Sequence, residues 1–136
     1  GLALGTIRGS RSWVGLTLLA LATVCSFLVA IFPGTLQYST NLLIHSLSAF
    51  VGFSSLGIAA LVWSQRFRKD TDWRSSALAS LVLGLLMLLS LVSMVVGPPD
   101  LLGLTERILE VFIIFWLCFM AWRLAILVPK QSLSPA

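Results

Sequence analysis

The chain alternates between long apolar runs and short polar intervals. Four of the runs are long enough to cross a membrane, at positions 13–32, 41–63, 73–96 and 104–128. A helix needs about 20 residues to cross a hydrocarbon core of about 30 Å. None of the runs shows the alternation over about ten residues that is typical of transmembrane β-strands. We therefore predict an all-α fold, an integral membrane bundle of four transmembrane helices, because a helix satisfies its own backbone in lipid.

The intervals between the runs, at 33–40, 64–72 and 97–103, are too short to form a soluble domain. Short loops make consecutive helices antiparallel neighbours. The pattern therefore predicts a single transmembrane domain over 1–136. We expect the fourth helix to stop at Pro129 and residues 129–136 to form a loose C-terminal tail.

Composition supports the membrane assignment. The chain is 58% hydrophobic and 10% charged, with a mean hydropathy of +1.01, whereas a soluble domain carries about 25% charged residues. The formal net charge of +4 comes from basic residues dispersed at the ends of the runs. Since no patch interleaves them with aromatic residues, nucleic acid is not an expected partner. The expected partners are the lipid bilayer and other membrane protein subunits.

The distribution of Lys and Arg predicts the orientation. With four spans, eight of the nine basic residues fall on the side that holds both termini: Arg8, Arg11, Arg66, Arg68, Lys69, Arg74, Arg123 and Lys130. Arg107 alone falls on the other side. Because cytoplasmic loops carry the excess of basic residues, we expect both termini to be cytoplasmic. The expected location is the bacterial inner membrane or another energy-converting membrane of prokaryotic type.

One polar cluster stands out at the non-cytoplasmic side. It consists of His45, Asp100, Glu106, Arg107 and Glu110. Glu110 lies seven residues beyond Gly103, about 10 Å along a helix, where a lone carboxylate costs about 2–3 kcal/mol. It therefore needs a partner, and Arg107 lies three residues earlier on the same helical face. We predict a polar latch in which these charges neutralise one another and His45 joins the fourth helix to the second.

Two alternatives for the cluster stay open. The same residues are suited to a small-molecule or lipid-headgroup site. His45 is also suited to serve as the single axial ligand of a chlorophyll-type pigment. A haem held by two histidines is excluded, because the chain has one histidine. We predict no metal and no other cofactor, because the sequence has no HExxH motif or cysteine pair.

The sequence favours a non-enzymatic protein. It contains no Gly-x-Ser-x-Gly elbow and no phosphate-binding glycine loop, and a lone histidine does not make a catalytic triad. Cys25 and Cys118 both fall inside apolar runs, so we expect buried thiols that act as small apolar side chains rather than a disulfide.

Small residues recur at four-residue spacing in the first three predicted helices. They are Ala22, Ser26 and Ala30 in the first, Ser48 and Gly52 in the second, and Ser80 and Gly84 in the third. Such stripes favour close helix packing in lipid, and the alternative interpretation is a groove for a lipid tail. The fourth helix carries an aromatic face instead, which consists of Phe112, Phe115, Trp116 and Phe119. We expect this face to pack in the bundle or to meet lipid, a partner subunit or a pigment.

The order of these motifs resembles the polytopic membrane family catalogued as domain of unknown function 998. The residues that carry the resemblance are Phe32-Pro33, then His45 with Ala49 and Phe50, then Arg66, Arg68, Asp72, Trp73 and Arg74, then Gly103-Leu104-Thr105-Glu106-Arg107 and Trp116. The similarity covers positions 8–123. It departs after Phe32-Pro33, where the acidic or cysteine residues common in the family are missing. Family members usually have about six helices, so the resemblance implies that this chain corresponds to the last four. It implies no established activity.

These observations lead to three hypotheses for function. The first is an accessory or scaffolding subunit of a larger membrane complex, indicated by the missing catalytic motifs, the short loops and the packing stripes. The second is a lipid- or small-molecule-handling protein that uses the His/Glu/Arg cluster. The third is a pigment-binding subunit of a photosynthetic complex, with His45 as ligand.

Overall fold

A computed structural model describes residues 13–34 and 39–132 of the chain. It contains four long helices: α1 (Trp13–Ile31), α2 (Ser39–Phe67), α3 (Ala77–Val96) and α4 (Leu102–Ser132). Short 3₁₀ helices at Arg74–Ser76 and Pro99–Leu101 lead into α3 and α4. No strand occurs among the described residues, and all four helices are long and apolar enough to cross a membrane. The predicted all-α architecture of four transmembrane helices is therefore confirmed.

The helix ends differ from the predicted spans. Helix α2 begins at Ser39 and continues to Phe67, four residues beyond the end of its predicted span. The expected stop at Pro129 is wrong, because α4 continues to Ser132. A proline removes one N–H donor from a helix but does not force it to end. Hydropathy marks the part of a helix that fits the hydrocarbon core, and helices extend past that core. Residues 133–136 of the predicted tail, and Arg8 and Arg11, lie outside the described residues.

Each helix packs mainly on its neighbour in sequence. Helix α1 packs on α2, α2 on α3 and α3 on α4. The contact between α4 and α2 is much smaller. In the described part of the chain, α1 and α4 form no packed interface. The buried core lies between α2, α3 and α4, and its largest members are Trp63, Phe67, Met87, Leu109 and Trp116. Helix α1 is therefore attached to this core along one side.

Small residues bring α2 and α3 into close contact. A Cβ atom on Gly84 would lie 3.1 Å from the carbonyl oxygen of Gly57 and 3.0 Å from Cδ2 of Leu61. Because the backbones meet there, neither glycine has room for a side chain. At the turn between these helices, the buried Ser64 hydroxyl donates a hydrogen bond to the carbonyl oxygen of Ala77 at 2.8 Å.

Helix α1 uses a different set of small residues from the predicted stripe. Ala22 and Cys25 are buried against α2, and a Cβ atom on Gly52 would lie 3.0 Å from Cβ of Cys25. Ser26 and Ala30 lie on the exposed side of α1. Of the three α1 residues in the predicted stripe, Ala22 is therefore the one that is buried.

The remaining members of the packing set are buried. Ser48 lies near Gly52 on α2, and Ser80 lies one turn before Gly84 on α3. The expectation of two buried thiols is wrong for Cys118, which is exposed on α4, whereas Cys25 is buried.

Candidate functional site

The candidate polar residues lie at one end of the bundle, where α2 and α4 begin. His45 is in the second turn of α2. Glu106, Arg107 and Glu110 occupy the first turns of α4, and Asp100 lies in the 3₁₀ helix before it. We call this region the acidic end, because its described residues include three carboxylates and one arginine.

His45 fastens α2 to the end of α1. Its Nδ1 lies 2.9 Å from the carbonyl oxygen of Phe32. A carbonyl only accepts hydrogen bonds, so Nδ1 carries the proton and donates it. Gly34 lies against the ring, because a Cβ atom there would come 3.1 Å from Cδ2 of His45. Among the described residues, His45 forms no hydrogen bond or ion pair with α4, and the part of the predicted latch that runs through it is wrong.

Arg107 and Glu110 form the ion pair that their spacing predicts. Nη1 of Arg107 donates to Oε2 of Glu110 at 2.8 Å. The two side chains are 77% and 37% exposed, respectively, so the pair faces away from the protein core. Both residues belong to α4, and their contact therefore joins no two helices. An exposed pair of this kind contributes little to stability.

The other two carboxylates at the acidic end are not paired with an arginine as Glu110 is. Glu106 is half-buried and Asp100 is exposed. Within residues 13–34 and 39–132, neither side chain forms a hydrogen bond or an ion pair. In the same ranges, no three His, Cys, Asp or Glu side chains are grouped so as to hold a metal ion.

Glu110 lies at the edge of a groove that runs between α1 and α4 over α2. The groove has a volume of about 490 Å³. Its lining is mostly apolar, and the residues are Leu19, Ala22, Thr23, Ser26, Phe53, Leu56, Glu110, Ile113, Ile114 and Leu117. We call it the α1–α4 groove. It exists because α1 and α4 are both packed on other helices and not on each other.

A smaller cavity of about 200 Å³ adjoins the groove. The two share Ser26, Phe53, Leu56 and Glu110 in their linings. The smaller cavity also reaches Ser48 on α2. A carboxylate and two serines therefore line a space whose other lining residues are apolar.

The sequence pointed to Glu110, but it indicated a lipid-tail groove only as the alternative to close packing of the stripe that includes Ala22 and Ser26. One weak feature of the sequence indicated that α1 lines the groove. Thr23 and Ser26 are polar residues three apart in an apolar helix. Both hydroxyls donate to backbone carbonyls one turn earlier in α1, which is a common way to satisfy such groups in lipid. The sequence therefore did not reveal that Thr23 and Ser26 line the groove.

The four aromatic residues of α4 do not share one environment. Trp116 is buried, and its Nε1 donates to the hydroxyl of Ser80 at 3.1 Å. Phe112 and Phe119 are half-buried against the same core. Phe115 is 63% exposed, so the prediction of a common face is wrong for this residue. The bond between Trp116 and Ser80 joins α4 to α3 in the middle of the bundle.

The opposite end of the bundle is built on stacked rings. We call it the basic end, and it comprises residues 63–76 together with Arg123. The rings of Phe67 and Trp73 stack with centroids 4.8 Å apart, and Trp63 lies 6.0 Å from Phe67. Arg123 of α4 lies over the Trp73 ring and donates to the carbonyl oxygen of Asp72 at 2.6 Å. This end therefore connects α4 to the turn between α2 and α3.

A family model described as "Protein of unknown function (DUF998)" matches residues 1–123. No curated protein and no solved structure shows significant similarity to the chain. The match includes the start of α4, the acidic end and the groove, and it ends at Arg123 of the basic end. Because it covers most of the 136 residues, the chain belongs to the DUF998 family of helical membrane proteins.

Proposed function

We propose that this chain is a non-enzymatic membrane protein that holds a lipid in the α1–α4 groove. The observation that supports the proposal is the position of Glu110, a carboxylate at the edge of an apolar groove between transmembrane helices. An amphiphile matches this combination, because its acyl chain suits the apolar lining and its headgroup suits the charged edge. Of the hypotheses from the sequence, lipid handling is therefore the one that the geometry favours.

The dimensions of the groove fit such a ligand. Its volume of about 490 Å³ falls in the range of about 300–1,000 Å³ that is common for small-molecule sites. From Glu110 to Leu117 the lining follows α4 for about 10 Å. On α1 it follows a stretch of equal length, from Ser26 to Leu19. The groove therefore offers an elongated apolar surface that begins at a charged group.

The ion pair at the groove edge also favours a ligand over the latch. The predicted latch would hold the charges of α4 fully paired in a dry environment and join them to α2 through His45. Here the Arg107 side chain is 77% exposed, and His45 bonds to Phe32 at the end of α1 instead. Their charges remain accessible to a headgroup at the membrane surface.

A matched pair of substitutions on α1 tests the proposal. Ser26→Trp fills the groove, whereas Thr17→Trp places the same ring on an exposed position outside it. The two native residues are comparable, because each donates its hydroxyl to the carbonyl one turn earlier. We expect wild type and Thr17→Trp to retain phospholipid through purification in mild detergent, and Ser26→Trp to lose it. Native mass spectrometry measures the retained lipid, and equal retention in all three proteins would overturn the proposal.

An accessory or scaffolding role in a larger membrane complex is the second candidate. Its support is the outer surface of α1, which carries exposed apolar side chains, while among the described helices α1 packs mainly on α2. The exposed set includes Val14, Val24, Phe27 and Ile31. Purification in mild detergent tests this role, because a monomer without co-purifying subunits would contradict it. The pigment alternative has its own test, an absorbance spectrum in visible light.

We propose that both termini face the cytoplasm of a prokaryotic cell, with the basic end at the cytoplasmic side. The support is the clustering of Arg66, Arg68, Lys69, Arg74 and Arg123 around the turn between α2 and α3. Reporter fusions at position 71 and in the 97–99 turn measure the orientation. An external reporter signal from position 71 would contradict it.

A further inference from the structure

The α1–α4 groove has charged groups at one end only. Glu110 provides the charge in its lining, and the remaining lining residues are apolar or carry hydroxyls. Glu106 lies one helical turn closer to the start of α4, about 6 Å along the axis. A ligand whose acyl chain lies in the groove therefore has its headgroup beside these two carboxylates.

The charged side chains around this headgroup position differ in whether they are paired. Arg107 is paired with Glu110 at 2.8 Å, while the half-buried Glu106 forms no hydrogen bond or ion pair within the described part of the chain. Glu106 and Glu110 are four residues apart on one helical face, where like charges repel each other. Arg107 attracts Glu106 as well as Glu110 but forms its ion pair with Glu110, so a further positive charge beside Glu106 lowers the remaining repulsion. A primary ammonium suits two carboxylates, because its three N–H donors can be shared between them.

Arg107 favours a ligand that also carries a negatively charged group. Its side chain is 77% exposed and uses Nη1 for Glu110. The guanidinium has five N–H donors in a planar arrangement that suits phosphate. The same turn of α4 therefore presents carboxylates to a cation and a guanidinium to an anion.

We infer that the α1–α4 groove binds a phospholipid with a primary ammonium headgroup. The ammonium lies between Glu106 and Glu110, the phosphate lies against Arg107, and one acyl chain follows the groove from Ser26 towards Leu19. This inference rests on the proposed function and specifies its ligand. It explains why Glu106, a half-buried carboxylate without a hydrogen bond or ion pair among the described residues, stands one turn from a paired one.

Three phospholipids with identical acyl chains test the inference. They carry a phosphoethanolamine, a phosphocholine or a phosphoglycerol headgroup. The first two are both zwitterionic and differ in whether the nitrogen has N–H donors. We expect the protein to retain the phosphoethanolamine lipid about tenfold more than either of the others. Hydrogen bonds to charged groups raise an affinity by about this factor or more. Native mass spectrometry after exchange into each lipid measures the ratio.

Substitutions at the acidic end assign the preference to specific residues. In the double variant Glu106→Gln and Glu110→Gln, we expect retention of the phosphoethanolamine lipid to fall to that of the phosphocholine lipid. Asp100→Asn is the matched control, because it removes an exposed carboxylate at the same end but outside the groove lining. It should preserve the preference, and the melting temperature of each variant verifies that it is folded.

The outcomes separate the inference from the proposed function. Equal retention of the three lipids, lost in Ser26→Trp, would overturn the inference and leave lipid binding standing. A preference that survives in the double glutamine variant would overturn the placement of the ammonium, and with it the inference. Retention that Ser26→Trp does not change would overturn the proposed function as well. A co-purifying transmembrane protein in place of lipid would contradict both.

Discussion

The two ends of the bundle use their polar and aromatic side chains in different ways. At the basic end, rings from α2 and from the turn after it stack on one another, and Arg123 reaches them from α4. At the acidic end, the ion pair between Arg107 and Glu110 stays within one helix and borders a groove. The basic end therefore stabilises the fold, and the acidic end retains charges that are accessible to a ligand.

Buried aromatic rings and a few hydrogen bonds hold the basic end together. Three buried polar atoms there have no hydrogen-bond partner among the described residues, namely Nε1 of Trp63, Oγ of Ser76 and Nε of Arg123. Trp63 is 1% exposed and Phe67 is fully buried. Large rings that exclude lipid and water therefore provide most of the stabilisation, together with the two hydrogen bonds from Arg123 to Asp72 and Ser75.

The largest effect that we expect comes from Trp63→Ala. Removal of a fully buried tryptophan lowers the free energy of unfolding by about 3–5 kcal/mol. Trp122→Ala is the control from the same end of the bundle, because Trp122 is 58% exposed, and its effect should stay below about 0.5 kcal/mol. Unfolding in detergent micelles, followed by circular dichroism, measures both. Similar losses in the two variants would contradict a stabilising stack.

Arg123→Met should have the next largest effect. The variant loses the bonds to the carbonyl of Asp72 and the hydroxyl of Ser75, as well as the contact with the Trp73 ring. Hydrogen bonds to charged groups contribute about 1.5–3 kcal/mol, and we expect a loss in this range by the same unfolding measurement. Lys69→Met is the control, since Lys69 is exposed at the same end. A loss in the control as large as in Arg123→Met would show that charge, and not these contacts, is responsible.

His45→Phe tests the contact between α1 and α2 at the acidic end. The ring remains to pack on Gly34, but the hydrogen bond to Phe32 is lost. We expect a loss of about 1 kcal/mol and faster amide hydrogen exchange in the last turn of α1. If exchange accelerates at the start of α4 instead, His45 does join α2 to α4 as the sequence suggested.

The smallest effect on stability should come from Arg107→Gln. Because its ion pair is exposed and lies within α4, the unfolding curve should match that of the wild type. Retention of the phosphoethanolamine lipid should nevertheless decrease, since the guanidinium faces the headgroup position. A clear destabilisation would show that the pair holds α4 in place, and the two ends would then differ less than we infer.

The sequence predicted the helices better than their contacts. Four spans were visible because every residue of an apolar run in lipid must belong to a helix. The pair of Arg107 and Glu110 was also predictable, since both lie on one helix at a fixed spacing. The partner of His45 was not, because hydropathy does not give the rotation of α2 about its own axis. That rotation turns the ring towards Phe32 and away from α4.

Hydropathy also does not give the rotation of α4, which explains why the predicted aromatic face was wrong for Phe115. Phe115 and Trp116 are adjacent in sequence, and only one of them meets α3. Which one does so depends on where Ser80 lies on the neighbouring helix. The α1–α4 groove was indicated only as an alternative to close packing, because it results from contacts that two helices do not make.

The neighbour-to-neighbour packing of the helices has a consequence for biogenesis. Since α1 packs on α2 and α2 on α3, each helix finds its main contact as soon as the next one enters the membrane. Contacts between nearby segments form quickly, because little loop entropy is lost. Of these four helices, α4 enters the membrane after the other three and supplies Leu109, Ile113, Trp116 and Met120 to the buried core. Assembly of that core therefore completes only when α4 has left the translocon.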